Sequence, residues 1–426
     1  MTAATGSVVT PAARLRGRLD LPADKSIAHR ALIFGALSGG PSAVTLRSPG
    51  RDVLSTLDCL RALGVTVEQT GERYLLSGRP SRDAHLDCGN SGTTMRLLAG
   101  VVAGLALRVT FDGDASLRAR PMERVATILR DIGAEVTTTD GHAPMTVVGS
   151  ASPRSANHDL PVASAQLLGA AVLAGMSASG ETTVASPGPA RDHTERMLAF
   201  MGVPIHRDGA VTTVSGPSRP RPFEMTVPGD PSAASAWLVA AAIHADAELT
   251  MAGVGLNPTR LGLVGLLQRM GVQIETHLTD VSGPEPVGDI IVRGGSPLRA
   301  VTVDGGEVAD LIDELPLVAI VMASVDEPSE VRDAGELRVK ETDRIAAVVA
   351  GLEAIGAQVE ELPDGWRVRR GSPQVARVTT HSDHRIAIAF AIAGLTGVAS
   401  AVELDDPDCV AVSYPDFWAD LGEVRS

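Results

Sequence analysis

Lysine is almost missing from this chain of 426 residues: of 37 basic residues two are lysines, Lys25 and Lys340, and the other 35 (37 − 2) are arginines. Aromatic residues make up 3%, too few for the stacking platforms that hold single-stranded nucleic acid. A net charge of −14 also disfavours nucleic acid and anionic membranes as partners. Cysteine is scarce. Cys59, Cys88 and Cys409 show neither metal-ligand spacing nor an even-numbered disulfide framework, so a reducing cytoplasm is expected. The longest apolar run, Ile386 to Leu395, is half the ~20 residues needed to cross a bilayer. The first twenty residues contain no hydrophobic segment of signal-peptide type.

The apolar content is 44% and the charged content 21%, a balance that fits a globular protein. The length calls for two or three domains. Six segments read as a helix ending in a glycine turn that leads into a strand, with Gly64, Gly133, Gly202, Gly271, Gly356 and Gly422 at the turns. The first three intervals are equal, 133 − 64 = 202 − 133 = 271 − 202 = 69 residues, which marks an internal repeat.

Between these turns a second element recurs: a small or polar start followed by an Ala-rich apolar helix. The six starts lie near Leu21, Leu86, Leu160, Val227, Glu307 and Val378. LPADKS at the first resembles VPGDPS at the fourth, so the chain reads as two domains of three units each. The last unit lacks strands, and the segment from Val8 to Leu21 is expected to complete it. One domain is then discontinuous, 1–20 plus 226–426, and the other, 21–225, is inserted into it. The apolar helices have no polar face and should be buried, with sheets around them. Their starts would then cluster, presenting free N–H groups and partial positive charge to a cleft between the domains.

The stretch GNSGTTMR, residues 89–96, shows what is at stake at such a start. Its small and hydroxyl residues fit a helix cap, which needs no ligand, and fit equally a seat for an anion. Reactive residues gather at the same starts: Lys25, Ser26 and Arg30; Asn90, Gly92, Thr93 and Arg96; Ser164 and Gln166; Asp313 and Glu314; Asp383, His384 and Arg385. Adjoining loops add Arg118, Arg120, Arg191, Lys340, Glu341 and Arg344, whereas the fourth start, with Pro231, offers no functional side chain. Each arginine alone reads as a solvated charge, Glu341 with Arg344 as an i,i+3 pair, and Asp313 as a cap. His381 and His384 read as structural. Taken together, many cations with two carboxylates suggest a doubly anionic substrate and proton transfer without a metal.

The motifs DKSIAHRAL, GNSGTTMRLL, RARPM, VASAQ, RDHTERML, LNPTR, LIDELP, LRVKETDR, SDHRIA and SYPDF make the chain resemble, over nearly its full length, the 5-enolpyruvylshikimate-3-phosphate (EPSP) synthase family. The resemblance implies an α/β fold of two domains, each of three βαβαββ units with buried helices surrounded by sheets, an inside-out α/β barrel. It implies transfer of the enolpyruvyl group of phosphoenolpyruvate to the 5-hydroxyl of shikimate 3-phosphate, with release of phosphate. By position, Lys25, Arg120, Gln166 and the Gly92 backbone would hold the phosphoenolpyruvate phosphate, and Arg344 and Arg385 its carboxylate. Ser26 and Arg30 would take the shikimate carboxylate, Ser164 and Arg191 the shikimate phosphate, and Gln166 would also contact shikimate 3-phosphate. Asp313 would accept the 5-hydroxyl proton, and Glu341 would protonate the methylene carbon. Lys25 and Lys340 would assist transfer and hold ring hydroxyls. The partners implied are these two small molecules, with no cofactor, metal, nucleic acid or membrane, and with a monomeric chain.

Two positions depart from the family pattern. Ala165 stands where many members carry a second serine for the ring phosphate, and Val412 where some carry a lysine. Gly92 is expected to leave room for glyphosate, a phosphoenolpyruvate analogue. A rival reading is the related UDP-N-acetylglucosamine enolpyruvyl transferase, but its reactive cysteine would fall at Ala115. A ring-shaped clamp or an anion-binding scaffold is a further alternative. A clamp needs basic residues spread along the helices, and here they sit at the helix starts and loops.

Overall fold

The computed structural model describes residues 8–425. The chain divides into two compact units, Met1–Pro22 with Pro228–Val281 and Pro286–Ser426, and Ala23–Val227 with Ser282–Glu285. In the Ala23–Val227 unit three helices, Lys25–Leu37, Gly92–Ala103 and Ala165–Gly175, are buried along nearly their whole length. The sequence dictates this. Their Ala, Leu, Val and Gly positions leave no polar stripe, and a helix that is apolar all round gains nothing from facing water. The Gly92–Ala103 and Ala165–Gly175 helices pack so closely that a Cβ at Gly100 would lie 2.5 Å from the Ala170 carbonyl oxygen.

Three four-stranded sheets surround these helices, each built as a parallel pair followed by an antiparallel hairpin. In the first, Glu224–Thr226 runs parallel to Ser42–Thr45, which pairs with Arg73–Ser77 and then Thr66–Thr70. The same order recurs from Ala84–Asp87 to Glu135–Thr139 and from Asn157–Asp159 to Ile205–Asp208. The other unit buries Pro231–Ile243, Leu315–Met322 and His384–Thr396 in the same way. Its sheets are two of four strands and one of three. Second helices such as Glu123–Asp131, with buried Val125, Ile128 and Leu129 on one face, pack against the buried helices and lead into the hairpin of their repeat, here Glu135–Thr139 with His142–Val148.

Five of the six expected glycine turns adopt the left-handed conformation, with φ of 94°, 106°, 80°, 108° and 88° at Gly64, Gly133, Gly202, Gly271 and Gly356. Gly422 does not: it lies inside the helix Phe417–Val424. Among the described residues no hairpin follows it. The N-terminal strands also split their allegiance. Val8–Val9 pairs with Ala401–Leu404 in the last sheet, but Leu15–Asp20 joins Ala247–Gly255, the sheet of the fourth repeat. Leu15 and Leu19, two to a face and both buried, direct that strand's apolar side inward there. Among the described residues no helix is long and apolar enough to cross a membrane.

Candidate active site

Five of the six buried helices begin at a side-chain cap: Asp24, Ser91, Ser164, Asp230 and Asp383 each accept a backbone N–H from the first turn. In the GNSGTTMR stretch, Ser91 Oγ accepts from the Thr94 N–H at 3.1 Å. The cap reading therefore holds. A cap occupies one of the four N–H groups that a helix start leaves outside its own ladder, so it does not exclude an anion at the rest.

In the Ala23–Val227 unit the predicted residues meet at these starts. Lys25 Nζ donates to Asp52 Oδ2 at 3.0 Å, and its side chain is 23% exposed. Asp52 lies in the first turn of Arg51–Ala62 and was not singled out from the sequence, where an acid at that place serves the helix dipole. Arg30 is buried, with Nε on Thr194 Oγ1 at 2.8 Å, Nη1 on the Ser26 carbonyl at 3.0 Å and Nη2 on the Ala165 carbonyl at 3.3 Å. Burial pulls its pKa down to about 10 against the pull of Glu195 and Asp24, so it remains charged at neutral pH. Arg191, half-buried in the loop before the helix His193–Phe200, sets a second positive charge near Arg30.

A second group gathers at the Gly92 start. Arg120 Nη2 donates to Asn90 Oδ1 at 2.6 Å and to Ser116 Oγ at 3.3 Å. Arg96 Nη1 donates to Gln166 Oε1 at 2.7 Å, and Gln166 Nε2 to Thr93 Oγ1 at 2.9 Å. A Cβ added at Gly92 would meet Arg96 Nη1 at 2.6 Å and Arg120 Nη1 at 3.4 Å. Lys25, Gly92 and Gln166 thus stand at three helix starts of one unit, the second of which Arg120 reaches from its loop through Asn90, with half-buried Ser26 and Ser164 on the first and third. Arg118 belongs elsewhere: it forms an exposed fork on Asp112 at 2.7 and 2.6 Å.

The other unit assembles the carboxylates. Arg344, at the first turn of Arg344–Ala354, is 1% exposed. Its Nε and Nη2 donate to Asp383 at 2.8 and 3.2 Å. Its Nη2 pairs with Glu341 at 2.7 Å, and its Nη1 stands 3.7 Å from Asp313. Burial opposes the charge, but Glu341 and Asp383 outweigh it, and the pKa stays above the ordinary arginine value. Nη1 makes no hydrogen bond with any described residue. Arg385 Nη1 approaches Glu314 Oε1 at 3.4 Å, and half-buried Lys340 directly precedes Glu341. Ser232, at the fourth helix start, is not idle: its hydroxyl donates to Glu314. Val412 ends the short turn Pro407–Val412.

Each unit therefore presents a set of helix starts with fixed side chains, cationic in one and mixed in the other. A family model described as EPSP synthase (3-phosphoshikimate 1-carboxyvinyltransferase) matches residues 9–421. The chain belongs to the EPSP synthase family. The 3-phosphoshikimate 1-carboxyvinyltransferases of Herpetosiphon aurantiacus and Roseiflexus castenholzii are 44% and 46% identical to it over 428 and 423 residues. These matches cover 98% and 97% of this chain and 99% and 98% of theirs. A solved EPSP synthase from Acinetobacter baumannii is similar with a TM-score of 0.86 at 35% identity, covering 98% of each chain. Family membership makes the chain an enzyme of the carboxyvinyl-transferring class and favours the shikimate reading over the UDP-sugar one. It also accords with the fold, in which three helices per unit lie inside their sheets.

Proposed function

We propose that the two sets of helix starts act together on phosphoenolpyruvate and shikimate 3-phosphate, joining the enolpyruvyl group to the 5-hydroxyl and releasing phosphate. The observation that carries this reading is Arg344: a buried guanidinium held on two sides by Asp383 and Glu341, with Nη1 unbonded beside Asp313. A planar carboxylate fits such a fork, and the substrate so seated has a carboxylate on either hand. Arg385 supplies the second cation. Lys25, Arg120, Gln166 and the Gly92 N–H hold the phosphate that leaves, while Ser26 and Arg30 take the ring carboxylate. Ser164, Gln166 and Arg191 hold the ring phosphate, and Lys340 with Lys25 the ring hydroxyls.

The chemistry then balances. Asp313 takes the proton of the 5-hydroxyl as its oxygen bonds to the central carbon of phosphoenolpyruvate, and the methylene carbon gains a proton from Glu341. The tetrahedral adduct loses phosphate through the C–O bond, and the new methyl group returns a proton to restore the alkene. The cations balance the phosphates throughout.

The test is incubation with phosphoenolpyruvate and either shikimate 3-phosphate or UDP-N-acetylglucosamine, following phosphate release and the enol ether product. Release with the shikimate acceptor alone is expected. Release only with the sugar nucleotide, or with neither, overturns the reading.

A further inference from the structure

We infer that Ser232 and Arg260 are positioning residues that hold Glu314 back from Arg385, keeping that guanidinium aimed at the phosphoenolpyruvate carboxylate. This rests on the function proposed above. The fourth helix start appears bare in sequence, yet it lies at the centre of a buried polar network. Asp230 caps the helix and accepts from Arg260 Nη2 at 2.9 Å. The same Nη2 donates to Ser232 Oγ at 2.8 Å. Arginine has no acceptor, so the Ser232 hydroxyl must turn its own proton elsewhere. It turns it to Glu314 Oε1, at 2.5 Å.

The same oxygen also accepts Arg385 Nη1 in a long, ion-paired hydrogen bond of 3.4 Å. Glu314 is 6% exposed and Arg260 9%, so neither charge has water to fall back on. A buried carboxylate takes the donor nearest to hand. While Ser232 supplies one, backed by Arg260, the Glu314–Arg385 pair stays long, which fixes the arginine's direction without a short bond to Nη1. Remove the hydroxyl, and Glu314 closes on Arg385. The guanidinium is then held more tightly by the protein before the substrate arrives.

The variant is Ser232→Ala, which replaces a residue in the first turn of the helix by a strong helix former and should fold normally, as its circular dichroism will show. Its KM for phosphoenolpyruvate should rise about tenfold, the worth of one charge-assisted hydrogen bond. The KM for shikimate 3-phosphate should be unchanged and kcat should stay within about threefold. Ser232→Thr, which keeps the hydroxyl, should restore the wild-type KM. Adding Glu314→Gln to Ser232→Ala removes the charge that captures Arg385, and should bring the KM back towards wild type. The inference is overturned by an unchanged phosphoenolpyruvate KM in Ser232→Ala, by a parallel rise for both substrates, or by a double variant no better than the single one. Wild-type turnover separates the two claims. Its absence overturns the proposed function and this inference together, whereas normal turnover with any of those results overturns this inference alone.

Discussion

The Gly92→Ala substitution tests how the phosphate seat proposed at the Gly92 helix start is built. The added methyl carbon would lie 2.6 Å from Arg96 Nη1. The guanidinium must withdraw by about 0.8 Å to reach ordinary van der Waals distance. Arg120 Nη1, at 3.4 Å, needs no more than a slight adjustment. The withdrawal strains the bond from Arg96 to Gln166, 2.7 Å long, and Gln166 in turn is tied to Thr93. A hydrogen bond to a charged group is worth ~1.5–3 kcal/mol. Arg96 is long and recovers part of this, leaving ~1–2 kcal/mol at the phosphoenolpyruvate site, a five- to thirtyfold rise in KM. Helix propensity acts the other way, since alanine favours the helix by up to ~1 kcal/mol over glycine. Thermal unfolding should therefore occur at the same temperature or slightly higher.

Steady-state kinetics with each substrate varied in turn, beside a melting curve, provides the assay. Glyphosate inhibition, measured in the same series, should weaken by at least the factor seen for phosphoenolpyruvate. An unchanged KM and unchanged inhibition refute the reasoning. A rise in KM accompanied by a fall in melting temperature refutes it too, because the damage would then be general.

Two further substitutions address the buried charges. Arg344→Met leaves Asp383, 0% exposed, without its counter-ion and should cost ~3–5 kcal/mol in urea unfolding; Arg344→Lys keeps the charge, loses the fork on Asp383, and should fold while its phosphoenolpyruvate KM rises. His29 is fully buried in the Lys25–Leu37 helix, and burial, reinforced by Lys25, pushes its pKa well below the ordinary 6.5. The unfolded chain thus binds a proton that the folded one refuses, so stability is complete above 6.5 and falls as pH drops below it, by up to ~1.4 kcal/mol per pH unit. His29→Gln should reduce the acid slope of urea-unfolding free energy by up to one proton, and an equal slope in both proteins would show that His29 does not contribute it.

Much of this architecture is legible along the chain because it is periodic. Apolar helices without a polar face cannot lie at the surface, and glycine after a helix announces a left-handed turn. Gly422 shows the limit of that signal: the same local pattern stays helical inside Phe417–Val424. Leu15–Asp20 shows another, because alternation says which face of a strand is buried but not which sheet receives it. The candidate site was readable as a set of residue types at helix starts. Its partnerships were not, since Lys25 with Asp52, Arg96 with Gln166 and Glu314 with Ser232 are separated by 27, 70 and 82 residues.

The sequence by itself determined that six buried helices would start with small and polar residues, and that both lysines and a group of arginines would stand there or in the adjoining loops. It could do so because hydrophobic periodicity and capping are local properties, settled within one or two turns of chain. Only the tertiary structure decided which charges are spent on one another and which are held ready. That Arg118 is paired on Asp112 at the surface, while Arg344 Nη1 makes no hydrogen bond between half-buried Asp313 and Glu341 and buried Asp383, follows from long-range packing and the cost of leaving a charge without water.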